Sequence, residues 1–186
     1  MRETRVESVR RVYEGFFSVD EATVTYQKPD GTWSKPSKRL SAERGDAAAV
    51  LIHDIEKDTL LFVRQYRYPM ERHGEPWLME IVAGSIDKGE TSEEAARREA
   101  EEEVGIKPER LEKIAEMYPS PGGLSEKVSI FYAEGRHTGG GGGLDGEDVE
   151  LVELPREEAL AMVRRGEIRD GKSLIALQWL LAGGGK

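Results

Sequence analysis

The chain has no cysteine, which excludes disulfides and thiolate-held metals. Histidine is almost as scarce. His53, His73 and His137 stand far apart and show no metal-ligand spacing, so they read as structural or surface residues. Ser120 and Ser125 have no associated base, which argues against a serine nucleophile. No apolar run approaches the roughly 18 residues of a membrane span, and residues 1–6 lack the apolar core of a secretory leader. A soluble cytoplasmic protein with no membrane partner is the expectation. Positive charge is also in short supply. Against 36 Asp and Glu there are 27 Lys and Arg, a formal net charge of −9. That is the wrong sign for non-specific binding to duplex nucleic acid. It does not exclude a small anionic substrate, because a bound cation and local arginines reverse the sign of a site.

What remains is a 186-residue chain of ordinary single-domain size, with room for a small subdomain. β-branched and aromatic residues with partial alternation mark strands over 5–14 and 16–27, and Pro29-Asp30-Gly31 marks a hairpin turn within 21–40. Further strands are expected at 47–54, 59–66, 77–83, 112–118, 126–134 and 147–154. Helices are expected from Thr91 to Gly105, over 155–165 and over 171–182. Strands interleaved with three helices predict an α+β or mixed α/β sandwich. Residues 1–44 form the candidate N-terminal antiparallel β subdomain, and 45–186 the main domain. Five consecutive glycines at 139–143 read as a loop. They lack the Gly-Lys-Ser/Thr of a phosphate-binding P-loop.

Residues 84–106 are the most informative stretch. Thr91 and Glu94 have the spacing of a capping box, and Gly105 is a natural helix stop. At about 100° per residue, Glu99, Glu102 and Glu103 fall within one arc, beside a small apolar stripe of Ala96, Ala100 and Val104. Glu94, Arg97 and Glu101 point to solvent. Glu93 with Arg97 and Glu94 with Arg98 are favourable i,i+4 pairs. Glu99 instead meets like charges at Glu102 and Glu103, each costing roughly 0.2–0.5 kcal/mol on an exposed helix. Arg98 offsets only part of this. A hard divalent cation such as Mg²⁺, which favours oxygen ligands and substrate phosphates, would offset the rest. The alternative is a solvated glutamate-rich face.

The whole segment resembles the Nudix box of the Nudix hydrolase superfamily. Gly84, Glu90, Arg98-Glu99, Ala100, Glu102-Glu103 and Gly105-Ile106 fall at its specified positions, with the small Ala100 where the pattern takes an aliphatic residue. The resemblance implies an α+β fold, an α/β/α Nudix sandwich with a mixed sheet. It implies Mg²⁺, with Mn²⁺ as a substitute, held by Glu99, Glu102 and Glu103 with the Ala83 carbonyl, while Gly84, Glu90, Arg98 and Gly105 shape the box. The chain looks closest to the nucleoside-diphosphate-sugar branch, the GDP-mannose and ADP-ribose pyrophosphatases. Glu167-Ile168-Arg169-Asp170-Gly171-Lys172 looks most like the GDP-mannose enzymes. In that branch a late carboxylate activates water. Glu147 aligns with it best and Asp145 second, in the acidic group that also holds Asp148 and Glu150. Glu102 joins them as a catalytic candidate. The Pro121 loop implies a sugar contact at Glu126, and the Arg64–Tyr68 run a phosphate contact at Arg67. Homodimerisation through the N-terminal strands is implied as well. Phe16, Phe17, Trp33 and Tyr66 are base-stacking candidates without a further signal. A nucleotide-sugar-binding regulatory module on the same scaffold, or a Nudix hydrolase of another nucleoside diphosphate derivative, is the alternative function.

Overall fold

The computed structural model describes residues 2–137 and 149–185. Its central strands are explained by their composition. β4 (Ala47–Asp54) is buried along nearly its whole length, and β5 (Thr59–Tyr66) over the run Leu60 to Val63. Strands apolar on both faces need cover on both faces. β4 divides its side chains between two cores, Ala47, Ala49 and Leu51 on one side and Ala48, Val50 and Ile52 on the other. α1 (Ser92–Val104) adds Ala95, Ala96, Ala100 and Val104 to the second core. α2 (Arg156–Arg165) adds Ala159 to the first, and α3 (Gly171–Leu181) adds Ala176, Leu177 and Leu180.

The sheet is therefore the middle layer of an α/β/α sandwich. Its order is β10 (Val149–Pro155), β5, β4, β9 (Val128–Gly135), β8 (Arg110–Met117). β4 and β9 run parallel and their neighbours antiparallel, so the sheet is mixed as expected. A separate antiparallel sheet holds β1 (Thr4–Glu14), β2 (Ser18–Tyr26) and β3 (Ser37–Glu43). No helix among the described residues is long and apolar enough to cross a membrane.

The chain divides into two compact units, Met1–Gly45 with Tyr118–Lys127, and Asp46–Met117 with Val128–Lys186. The 118–127 loop joins the first unit through Ala42, which donates its N–H to the Gly123 carbonyl at 2.8 Å and accepts from the Ser125 N–H at 3.3 Å. Within this unit β1 is exposed along its whole length, with Val6, Val9, Val12 and Tyr13 open to solvent. Its charges pair across the ladder, Arg10 with Glu21 and Arg11 with Asp20.

The expected single strand over 77–83 is a correction. It is two strands, β6 (Trp77–Glu80) on β5 and β7 (Val82–Ser85) on β4. Ile81 is the hand-over residue. It is fully buried, and its N–H leaves the ladder and donates to Ser173 Oγ on α3 at 2.8 Å. A 3₁₀ turn over Tyr68–His73, with Pro69 in its first turn, also follows β5 and was not expected from the sequence.

Asp54 ends β4 and is 1% exposed. Burial pushes its carboxyl up, but N–H donors from His137, Glu56 and Lys57, and the Lys57 charge, bring it net below the usual range. A depressed folded-state pKa gives stability that is present above the unfolded-state value and is lost as pH falls through the folded one. Asp54→Asn is expected to cost about 1–2 kcal/mol at pH 7. That cost should shrink as pH falls below the ordinary aspartate range. Urea unfolding of both proteins at pH 7 and at about pH 3 reads the difference, and an equal gap at both values would contradict it.

Candidate active site

The box helix forms where its sequence places it. Thr91 Oγ1 accepts the Glu94 N–H at 3.2 Å, and Glu94 Oε2 accepts the Thr91 N–H at 2.8 Å, closing the capping box. Gly105, at φ 67°, ends the helix with its N–H on the Glu101 carbonyl. That bond is the 5→1 contact of an αL cap, and the Ile106 N–H follows on the Ala100 carbonyl.

Glu94 is spent on this cap, so the expected Glu94–Arg98 pair does not form. The expected Glu93–Arg97 pair does, at 3.1 Å. Arg98 turns inward instead. Nε and Nη2 grip both oxygens of Glu90 at 2.9 and 3.0 Å, and Nη2 also reaches the Ser85 carbonyl at 3.0 Å. Nη1 lies 2.6 Å from Glu99 Oε1 and 3.1 Å from Glu102 Oε2. One guanidinium thus ties the loop to the helix and stands between two box carboxylates. Arg98 first, and then the Asp87 N–H, hold Glu90 below the usual glutamate range.

Glu99 and Glu103 are buried on the inward face of α1, while Glu102 is half-buried. Burial is the main reason the Glu99 carboxyl is raised above its ordinary value, and Arg98 only partly opposes it. The Glu99 carboxylate lies directly against the Gly84 backbone, where a Cβ would overlap it. Gly84 pairs with Ala48 across β7 and β4, and Ala83 with Ala49. Position 84 of β7 is therefore glycine because a carboxylate fills the space of a side chain.

These groups suit a hard cation in kind. All are oxygen donors, two carboxylates are buried, and the Glu99 charge is costly as it stands. As placed, however, no three His, Asp or Glu side chains among the described residues are gathered as a metal-binding group. Arg98 Nη1 already supplies Glu99 and Glu102 with positive charge. Releasing that one nitrogen would leave the Glu90 fork and the Ser85 carbonyl intact, so Arg98 can yield to a cation and still hold the loop.

The other candidates lie apart. Arg67 bonds to Glu80, and among the described residues no hydrogen bond or ion pair links it to the box. Arg64 is used by a cross-strand pair with Glu150 at 2.9 Å, which makes Glu150 a sheet residue. Glu126 belongs to the first unit, 3.8 Å from Arg44. Glu147, Asp145 and Asp148 lie outside the described residues. His53 bridges the Tyr132 hydroxyl and Asp58, both at 2.8 Å, in a structural role. Phe16 is almost fully exposed, and Arg5 rather than a base stacks on Trp33. A cleft of about 610 Å³ opens beside β6, lined by Arg64, Trp77, Met79, Met162, Arg165 and Arg169, without any box carboxylate. Arg165 is committed there to Glu158 and Glu167.

Comparison with known proteins agrees with the geometry of the box. Residues 43–177 match the NUDIX domain family. GDP-mannose pyrophosphatase of Klebsiella pneumoniae subsp. pneumoniae is 39% identical over 176 residues, covering 92% of this chain and 88% of that protein. The GDP-mannose pyrophosphatase of an Enterobacter species is 39% identical over 152 residues, 79% of each chain. That of Escherichia coli O1:K1 is 35% identical over 172 residues, 90% of this chain and 89% of the relative.

Proposed function

The chain belongs to the Nudix family, and from that premise we propose that it is a Mg²⁺-dependent hydrolase of nucleoside diphosphate sugars, with GDP-mannose the first candidate substrate and ADP-ribose the second. The observation that carries this reading is the buried Glu99 carboxylate, seated against Gly84 on the same helix face as Glu103. Similarity to GDP-mannose pyrophosphatases along nine-tenths of the chain supports the choice of substrate.

In this reading Glu99, Glu102 and Glu103, with the Ala83 carbonyl, hold the cation, and Mn²⁺ can substitute. When bound, the cation offsets the charge of the diphosphate and makes the attacking water more acidic. Glu147 takes a proton from that water, with Asp145 the second choice and Glu102 assisting. The water oxygen bonds to one phosphorus, and the bond from that phosphorus to the bridging oxygen breaks. The bridging oxygen leaves on the other phosphate. The products are a nucleoside monophosphate and a sugar phosphate, with the proton passed to solvent. Arg67 pairs with phosphate oxygens through its terminal nitrogens, and Glu126 accepts from a sugar hydroxyl. A homodimer through the first sheet fits the same reading, because the exposed Val6, Val9, Val12 and Tyr13 of β1 are the kind of surface a second copy covers.

Purified protein assayed against a panel of nucleotide sugars, by phosphate release after phosphatase treatment, tests the proposal. Cleavage of GDP-mannose or ADP-ribose with Mg²⁺, abolished by EDTA, is expected. Failure to cleave any nucleotide sugar would overturn it.

A further inference from the structure

The segment Tyr118–Lys127 links β8 to β9, yet it packs with the first unit. Its residues 118–123 are all exposed. Within it, the Gly123 and Leu124 N–H groups donate to the Ser120 carbonyl at 3.0 and 2.9 Å. A short parallel bridge between Ala42 and Leu124 fastens it to β3. Just past that bridge, a side chain of β3 takes over the attachment.

That side chain is Glu43, the last residue of β3. Ser41, two residues earlier and on the same face of the strand, donates its hydroxyl to Glu43 Oε1 at 2.5 Å. Glu43 Oε2 accepts the hydroxyl of Ser125. One carboxylate is therefore fixed by its own strand and grips the loop with its second oxygen. Hydrogen bonds to a charged acceptor are roughly twice as strong as neutral ones.

Glu126 directly follows Ser125. Its side chain is 11% exposed, and its ion-pair partner Arg44 stands at 3.8 Å, beyond hydrogen-bond reach. Among the described residues no hydrogen bond reaches the Glu126 carboxylate, so its lone pairs are open to a hydroxyl donor. With so loose a hold on the side chain itself, the place of Glu126 depends on its backbone. The bond from Ser125 to Glu43 anchors that backbone one residue away.

We propose that Glu43 is a positioning residue for the sugar end of the substrate. By holding Ser125 it sets the backbone beside Glu126, so that the Glu126 carboxylate stands ready for a sugar hydroxyl. This rests on the function proposed above, with Glu126 as the sugar contact, and extends it to a residue that touches no substrate. Without the Glu43 carboxylate the Ala42 bridge still holds Leu124, but the chain beyond it can shift. A displacement of about 1 Å is enough to weaken such a contact.

The test compares Glu43→Ala, Glu43→Gln, Ser125→Ala, Glu126→Ala and the Glu43→Ala/Glu126→Ala pair with the native chain. It measures kcat, KM and melting temperature on the nucleotide sugar that the native protein cleaves, and inhibition by the same nucleoside diphosphate without its sugar. Glu43→Ala and Ser125→Ala remove one bond from its two sides, and each should raise KM about fivefold with kcat within about twofold. Glu43→Gln offers an oxygen to one hydroxyl and an amide N–H to the other, so its KM should stay within about twofold of native. Adding Glu43→Ala to Glu126→Ala should change KM by less than about twofold, because both act through one contact. Inhibition by the nucleoside diphosphate should be unchanged throughout, a result that general damage to the fold would not give. If Glu43→Ala melts below the assay temperature, Ser125→Ala carries the same test from the loop side. A native protein that cleaves no nucleotide sugar would overturn the functional reading and this inference together. A native KM in Glu126→Ala would remove the sugar contact, and this inference with it, while leaving the hydrolase reading in place. A raised KM in Glu126→Ala with a native KM in Glu43→Ala and Ser125→Ala would overturn the inference alone. So would KM effects that multiply in the pair, or weakened inhibition by the nucleoside diphosphate.

Discussion

Glu103→Gln is expected to lower turnover of a nucleotide sugar by about three orders of magnitude, since a cation-binding carboxylate supplies several kcal/mol to the transition state and each 1.36 kcal/mol is tenfold. Glu103 is buried on the inward face of α1, one turn after Glu99. Glutamine keeps its shape and removes its charge. Glutamine matches glutamate in volume, so the packing of α1 on the sheet is kept. The melting temperature should therefore hold while activity collapses. The native protein is expected to gain stability from Mg²⁺, because a ligand that binds only the folded state raises its stability, and that gain should disappear in the variant. Near-native activity in this variant would remove Glu103 from the site.

Gly84→Ala is expected to cost about 10²-fold in kcat or more, the penalty of displacing a catalytic group by about 1 Å. Its backbone conformation is not the reason. The added Cβ would occupy space that the Glu99 carboxylate fills. Either Glu99 swings away or α1 lifts from β7. The first choice removes a proposed ligand, and the second opens a core lined by Ala96 and Ala100. Pairing Gly84→Ala with Glu99→Ala removes the overlap, so the double variant should recover melting temperature without recovering activity. A Gly84→Ala protein as active as the native one would mean that Glu99 can leave its place without consequence.

The features that were legible in the sequence are local. The start and end of α1 follow from Thr91, Glu94 and Gly105, whose bonds span a few residues. β4 and β5 were legible as continuous apolar runs because helices cover both faces of the sheet. Other features depend on partners far along the chain. The break at Ile81 arises where the sheet partner changes from β5 to β4 and where Ser173, 92 residues away, receives the released N–H. No pattern within 77–83 announces it. The Glu94–Arg98 pair obeyed the spacing rule but lost to a nearer competitor, since the capping box claimed Glu94 and Glu90 claimed Arg98. Lys172 looked like one residue in a family-like run, and its contact with Glu80 appears only after α3 packs on the sheet. The attachment of the 118–127 loop to the first unit through Ala42 likewise spans about 80 residues of sequence, beyond the reach of any turn signal.

The central claim concerns which bond is broken. Mass spectrometry of the products formed from the most rapidly cleaved nucleotide sugar, with Mg²⁺ in ¹⁸O-labelled water, tests it most directly. The account predicts a nucleoside monophosphate and a sugar phosphate, with the label on one of the two phosphates. A nucleoside diphosphate and a free sugar would mean that the link between sugar and diphosphate breaks instead of the diphosphate bridge, and would contradict it.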